Sequence, residues 1–277
     1  MLRKPDWLKI KINNTENFAF VKKVISDNQL YTICSSGKCP NQCECWSRGT
    51  ATFMIMGDIC TRKCKFCATK SGKPLPLDRS EPAKVAESIS LLKLKHCVIT
   101  SVDRDDLSDK GAAHWAETVR KVREQNPNII IELLIPDYKN ELLQIVTDTQ
   151  PDIMGHNLET VARLTPIVRS KATYSNSLET LRQIALSGIL TKTSIMVGLG
   201  ETEKEVFQTL QDARNAGISM VTIGQYLQPS GNNMAVAEYV LPEQFEIYKK
   251  YAFNLGYKYV ESAPLVRSSY RSDKITI

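Results

Sequence analysis

Cys60-Thr61-Arg62-Lys63-Cys64-Lys65-Phe66-Cys67 begins shortly after an apolar stretch of strand length, Ala51–Met56. A strand that runs into a loop carrying three thiols fits an α/β protein whose chemistry sits at the carboxyl ends of its strands. With eight cysteines in 277 residues, two more at fixed offsets from a given one arise by chance with a probability of about 0.001, or roughly 0.007 over eight starting points, so accident is a poor explanation. The number of thiols matters chemically. A structural zinc site wants four closed ligands. A four-iron cluster held by three thiolates leaves one iron open to an outside ligand. A zinc knuckle completed by His96 or Cys97 is the alternative, and the local ligand number disfavours it.

Seven of the eight cysteines lie between positions 34 and 67; the eighth, Cys97, reads as a small hydrophobe of the core. Cys34, Cys39 and Cys45 form C-x4-C-x5-C, with Cys43 inside it. Three thiolates again suggest a cluster whose fourth ligand comes from elsewhere. Cys43 is the local candidate on chemistry alone, and a structural zinc site using all four thiols stays open on these residues. Met1–Ile12 carries Arg3, Lys4, Asp6, Lys9 and Lys11 and has no apolar run, so it does not read as a signal peptide. Clustered cysteines without an export signal point to metal or catalysis before disulfides.

Working outward, apolar runs alternate with stretches of helical period. The expected strands are Ala51–Met56, Cys97–Ser101, Ile129–Ile135, Asp152–Met154, Thr193–Gly198 and Met220–Gly224. The expected helices are Ser80–Lys95, Ala113–Gln125, Leu178–Ser187, Glu201–Asn215 and Pro242–Leu255, punctuated by Gly188, Gly217 and Gly256. About six βα units in series argue for a parallel sheet, either an open partial barrel or a doubly wound sheet. Polar residues gather after the strands: Thr100 to Asp106, Pro136-Asp137, His156 to Glu159, Gly198 to Thr202, and Gln225-Tyr226 with Gln228 to Gly231. Singly each reads as a solvated loop, and Thr202 as a helix cap; together they mark a lined cleft.

At 42% hydrophobic and 24% charged residues, the chain is an ordinary globular one, long enough for a substantial core. Its longest charge-free stretch, Asn215–Ala237, is too polar to span a bilayer as a helix. A net charge of +6 favours an acidic partner, while 7% aromatic residues and no basic run with interleaved aromatics argue against nucleic acid.

These residues together resemble the lipoyl synthase family of the radical S-adenosylmethionine (SAM) superfamily. The resemblance runs from Lys4-Pro5-Asp6-Trp7 to the tail. It includes Cys39-Pro40-Asn41 with Glu44-Cys45-Trp46, the C-x3-C-x2-C run, and Val98 to Leu107. It continues through His156 to Val161, Met196 to Thr202, Ile223 to Pro229, and Pro264-Leu265-Val266-Arg267-Ser268-Ser269-Tyr270. The C-x3-C-x2-C run alone would give only the superfamily; the upstream cysteines and the Arg-Ser-Ser-Tyr tail make the match family-specific.

The resemblance implies a partial (β/α)6 radical-SAM barrel over residues 51–256. An N-terminal extension, 1–50, carries the auxiliary-cluster cysteines, and a short C-terminal tail, 257–277, carries the Arg-Ser-Ser-Tyr motif. It implies two 4Fe–4S clusters: Cys60, Cys64 and Cys67 hold the one that binds SAM, and Cys34, Cys39 and Cys45, with Ser269 as the unusual fourth ligand, hold an auxiliary sulfur donor. Arg267 lines the auxiliary site beside Ser269. Phe66, Thr100, Ser101, Asp103 and Asn157 are the expected SAM contacts. The implied reaction inserts two sulfur atoms at C6 and C8 of a protein-bound octanoyl chain, spending two SAM molecules. Implied partners are octanoylated E2 lipoyl domains and glycine-cleavage H protein, an electron donor such as flavodoxin or ferredoxin, and an iron–sulfur carrier for cluster repair. No nucleic acid and no membrane are expected, and Met1 directly before the matching segment favours a bacterial cytoplasm. Cys43 and Gly155 depart from the family's pattern; Cys43 reads as a spare thiol. The competing readings are another radical-SAM sulfur-inserting enzyme, such as a methylthiotransferase acting on RNA, and a non-catalytic zinc or redox protein.

Overall fold

A computed structural model describes residues 3–10 and 15–275. Met1 and Lys11, both named above, lie outside the described residues. The chain divides into two compact units. The first comprises Ile10–Arg62, Ala68–Ile153 and Arg271–Ile277; the second comprises Met1–Lys9, Lys63–Cys67 and Met154–Tyr270.

In the first unit the strand Thr52–Ile55 is buried along its whole length, as an apolar run covered on both faces should be. The short strand Tyr31–Thr32 pairs with it antiparallel, Tyr31 opposite Met54. His96–Ser101 pairs with it in parallel, Thr52 opposite Val98. Ile130–Leu134 then pairs in parallel with His96–Ser101, His96 opposite Ile130. Helix Glu81–Leu91, with Pro82 in its first turn, buries Val85 and Ile89, and helix Ala112–Gln125 buries Trp115, Val119 and Val122. Each such side chain stabilises the fold by about 1.5–3 kcal/mol through lost apolar exposure. Cys97 is fully buried, as expected of a core residue. Glu81 fixes the end of the first parallel strand: its Oε2 accepts from the Met56 amide at 2.8 Å and lies 2.7 Å from His114 Nε2. The chain therefore leaves that strand at a defined point, just before the cysteine run.

In the second unit Leu190–Val197 pairs in parallel with Met220–Gln225, Thr193 opposite Val221. Helices Tyr174–Leu186, Glu203–Asn215 and Pro242–Asn254 send Leu181, Val206, Leu210 and Phe245 into one core with Ile195, Val197 and Ile223. Thr202 caps the second of these helices in a reciprocal capping box with Glu205. Gly217 and Gly256 follow helix ends with φ of +95° and +87°, the left-handed conformation that glycine adopts without cost.

All six expected strands form. The tail adds a further one, Tyr259–Ser262, parallel to Met220–Gln225. Its four residues hold a single strongly apolar buried side chain, Val260, so they give no apolar run. Beyond it the backbone passes very close to Gly224, where a Cβ would collide with the Val266 carbonyl oxygen. Helices Glu16–Asp27 and Asn140–Thr147 also lie outside the expected set. Among the described residues no helix is long and apolar enough to cross a membrane.

Candidate active site

Cys34 lies in the short helix Ile33–Ser36, capped by the Thr32 side chain, and Cys43 and Cys45 lie in helix Gln42–Ser47. The Cys39 amide donates to the Cys34 carbonyl at 3.0 Å, which folds the segment between the first two thiols back on itself. Burial, and then the neighbouring thiols of Cys34 and Cys39, push the Cys45 thiol up to about 12. Cys43 is two positions from Cys45 on the same helix, and residues so spaced do not share a helix face. Burial also raises the Cys34 thiol. The buried Trp46 indole N–H lies beside the Cys34 sulfur and acts on it as a donor, which opposes that rise. A donor beside the Cys34 sulfur suits a thiolate ligand of a cluster. Among the described residues no three His, Cys, Asp or Glu side chains converge on a single metal ion; a four-iron cluster places each thiolate on its own iron and needs no such point.

The C-x3-C-x2-C run is divided between the units, Cys60 in the first and Cys64 with Cys67 in the second. Cys60 ends the two-residue strand Ile59–Cys60, which pairs with Lys70–Ser71. Its Sγ accepts from the Arg62 and Asp103 amides at 3.4 and 3.3 Å. Two N–H donors on one sulfur would tune a bound cluster. The Arg62 side chain is buried among three carboxylates. It forms a paired contact with Asp105 at 2.9 Å and lies 2.7 Å from Asp137 and 3.3 Å from Asp103. Burial alone would lower the Arg62 pKa, but the hydrogen bond to Asp105 and the charges of Asp103 and Asp137 raise it above its ordinary value. Thr61 adds hydrogen bonds to Asp103 and Asp105, so the first cysteine and the end of strand His96–Ser101 are laced together.

In the second unit Cys64 Sγ lies 3.5 Å from Ser170 Oγ, and the Lys65 amide donates to the Val168 carbonyl at 2.8 Å. The loop after strand Met220–Gln225 clasps Lys65 and Cys67. Asn233 Nδ2 donates to the Cys67 and Lys65 carbonyls at 2.8 and 3.2 Å, and the Met234 amide donates to Lys65 at 2.9 Å. Phe66 packs against the core of this unit.

The remaining candidates stand at strand ends. The Thr100 hydroxyl donates to the Leu134 carbonyl at 3.1 Å, while Ser101 Oγ is buried with no hydrogen-bond partner. An orphaned hydroxyl at this end of a strand fits a polar ligand such as SAM. Asn157 gives its carbonyl to Arg169 Nη1 at 2.8 Å, and its side chain faces Glu159, whose carboxyl burial pushes up. Gly155 allows the adjacent strand to approach, because a Cβ there would stand 2.6 Å from the Lys192 carbonyl oxygen; its departure from the family pattern is a packing requirement. In the tail, Arg267 and Ser269 fall in a turn closed by the Tyr270 amide to the Arg267 carbonyl, and Arg267 lies near Lys4, whose pKa burial and that charge lower.

The radical SAM superfamily model matches residues 54–213. A lipoyl synthase of Parabacteroides distasonis is 59% identical over 99% of this chain and 98% of its own length. The lipoyl synthase of Porphyromonas gingivalis strain W83 is 54% identical over 99% and 98%. The chain belongs to the lipoyl synthase family. Among solved structures, methylornithine synthase gives a TM-score of 0.55 at 12% identity, covering 95% of this chain and 85% of that one. The Streptococcus suis SuiB complex with S-adenosylmethionine gives 0.62 at 11%, covering 90% and 63%. These likenesses establish the fold, an α/β partial barrel of the radical SAM type. As a member of the lipoyl synthase family the chain is a radical SAM sulfurtransferase of lipoyl cofactor formation, with 4Fe–4S clusters and SAM as its cofactors and lipoyl domains as its general substrate class.

The sequence reading assigns no role to Arg62, Asp105, Asp137, Arg169 or Asn233, which the structure ties to candidate residues. Asp105 and Asp137 carry a signal, their place after strands. Asn233 carries none, since its contact with Cys67 spans 166 positions.

Proposed function

We propose that Cys60, Cys64 and Cys67 hold the SAM-binding cluster and that Cys34, Cys39, Cys45 and Ser269 hold the auxiliary one. When bound, the first would supply the electron that splits SAM and the second the sulfur. Thr100, Ser101, Asp103, Asn157 and Phe66 bind SAM in this reading, and Arg267 lines the auxiliary site. The observation that carries the proposal is the folding of the Cys34–Cys45 segment, in which the Cys39 amide donates back to the Cys34 carbonyl at 3.0 Å between the short helices that bear Cys34 and Cys45.

The chain's own contribution is positional. The Arg62 and Asp103 amides hold the Cys60 sulfur, and Asn233 and Met234 hold the main chain of Lys65 and Cys67. In this reading, apolar strand residues beside the site would keep water away from radical chemistry. A serine alkoxide is a harder ligand than a thiolate and suits iron less well, so Ser269 would mark the iron most readily given up.

The substrate is an octanoyl chain, sulfurated at C6 and C8, on an E2 lipoyl domain or the glycine-cleavage H protein. The +6 charge supports an acidic carrier, and Arg3, Lys4, Lys9 and Lys11 are candidate contributors to its recognition. A flavodoxin or ferredoxin supplies electrons, an iron–sulfur carrier rebuilds the auxiliary cluster, and the setting is the cytoplasm. Residues 1–50, 51–256 and 257–277 act as extension, barrel and tail, with the tail's strand Tyr259–Ser262 extending the parallel ladder. Turnover with octanoylated carrier and with a free octanoyl-lysine peptide across a salt series tests the carrier's role. Steeper salt loss with the whole carrier is expected, and equal slopes would contradict it.

A further inference from the structure

Three segments of the second unit pack around Cys64: 63–67, 168–171 and 233–234. The Lys65 amide joins the first to the Val168 carbonyl, Cys64 Sγ joins it to Ser170 Oγ, and Asn233 and Met234 join it to the third. Together they contain Lys63, Lys65, Arg169 and Lys171 and no carboxylate. Arg169 turns Nη1 inward, to the Asn157 carbonyl and Ser177 Oγ. Lys63, Lys65 and Lys171 are exposed, and Cys64 between them is only half-buried. The cluster loop thus comes close to the surface where the segments packed on it carry only basic side chains.

We propose that Lys63, Lys65 and Lys171 form the docking surface for an acidic one-electron carrier protein. This rests on the proposed role of Cys64 as a cluster ligand. Electron transfer falls steeply with distance, so a protein donor must dock where the path through the shell is short, and the Cys64 segment is such a place. A single-sign rim steers an oppositely charged protein and raises its association rate. The electrons balance simply: the reduced carrier loses one electron and leaves oxidised by one, and SAM gains it as its C5′–S bond breaks to methionine and the 5′-deoxyadenosyl radical. An acidic carrier of the octanoyl chain is the competing occupant. It is less favoured because its requirement is entry of a long acyl chain, for which lysines around a cluster loop offer nothing.

The test uses reconstituted protein and an acidic flavodoxin as the probe. Binding is titrated at low and physiological salt for the parent chain and for the combined Lys63→Glu, Lys65→Glu, Lys171→Glu variant, and SAM cleavage is driven either by flavodoxin or by dithionite. The expected result is about tenfold weaker flavodoxin binding in the variant at low salt, loss of most of the salt dependence, and unchanged dithionite-driven cleavage. The triple Lys→Arg variant should bind like the parent. Equal binding by parent and Glu variant would overturn the proposal. So would failure of the Arg variant, or loss of octanoyl-carrier turnover with dithionite while flavodoxin binding is intact. A parent chain that cleaves no SAM even with dithionite would instead sink the cluster assignment, and the proposal with it.

Discussion

Asn233 reaches across 166 positions to donate its side-chain amide to the Cys67 carbonyl at 2.8 Å. The same nitrogen serves the Lys65 carbonyl, and Gln228 Nε2 in turn holds the Asn233 carbonyl at 2.8 Å. The segment Lys63–Cys67, which carries two of the three proposed cluster ligands, is thereby tied to the loop after strand Met220–Gln225.

Asn233→Ala should loosen the cysteine run without unfolding the chain. Two hydrogen bonds are lost, each worth about 1 kcal/mol. Two clusters correspond to about eight irons per chain. Iron remaining after gel filtration should drop toward about four in the variant, while full retention would show that the clasp does not matter.

Replacing Cys60, Cys64 and Cys67 together with Ala should leave about four irons per chain and abolish SAM cleavage. Persistent release of 5′-deoxyadenosine would refute the ligand assignment.

If Ser269 ligates the auxiliary cluster as proposed, Ser269→Ala should still cleave SAM but form little lipoyl product. Cys43→Ala should be near normal, in keeping with its place two residues from Cys45 on one helix. Full product from the Ser269 variant, with loss in the Cys43 variant, would exchange their roles.

Arg62→Gln leaves Asp103, Asp105 and Asp137 in a largely buried position without their cation. Removing one partner of a buried ion network costs about 3–5 kcal/mol. A marked fall in the denaturant midpoint is expected, and an unchanged midpoint would mean that the carboxylates find other partners.

The Arg163 hydrogen bond, and then the Thr202 amide, hold the Glu205 carboxyl down at about 2. A depressed carboxylate pKa stabilises the fold above the ordinary carboxylate range, and that contribution disappears as pH falls toward about 2. Thr202→Ala, which removes the cap, should cost about 1 kcal/mol. Glu205→Gln should melt below the parent at neutral pH and converge with it near pH 2. Parallel melting curves at all pH values would contradict the capping account.

Much of this was legible beforehand. The strands Thr52–Ile55 and His96–Ser101 are apolar runs because parallel strands are covered on both faces, and the thiols announce themselves by spacing. Tyr259–Ser262 was not legible, because half of its residues are polar and its pairing with Met220–Gln225 is a tertiary fact. Nor was the Arg62 network, whose partners at 103, 105 and 137 meet only when separate strand ends converge.

The most direct test of the central claim is mass analysis of an octanoylated lipoyl-carrier protein after anaerobic turnover with the reconstituted chain, SAM and dithionite. The expected result is addition of two sulfur atoms to the octanoyl chain with two 5′-deoxyadenosine molecules released per product. Release of 5′-deoxyadenosine with the octanoyl chain left unsulfurated would contradict it.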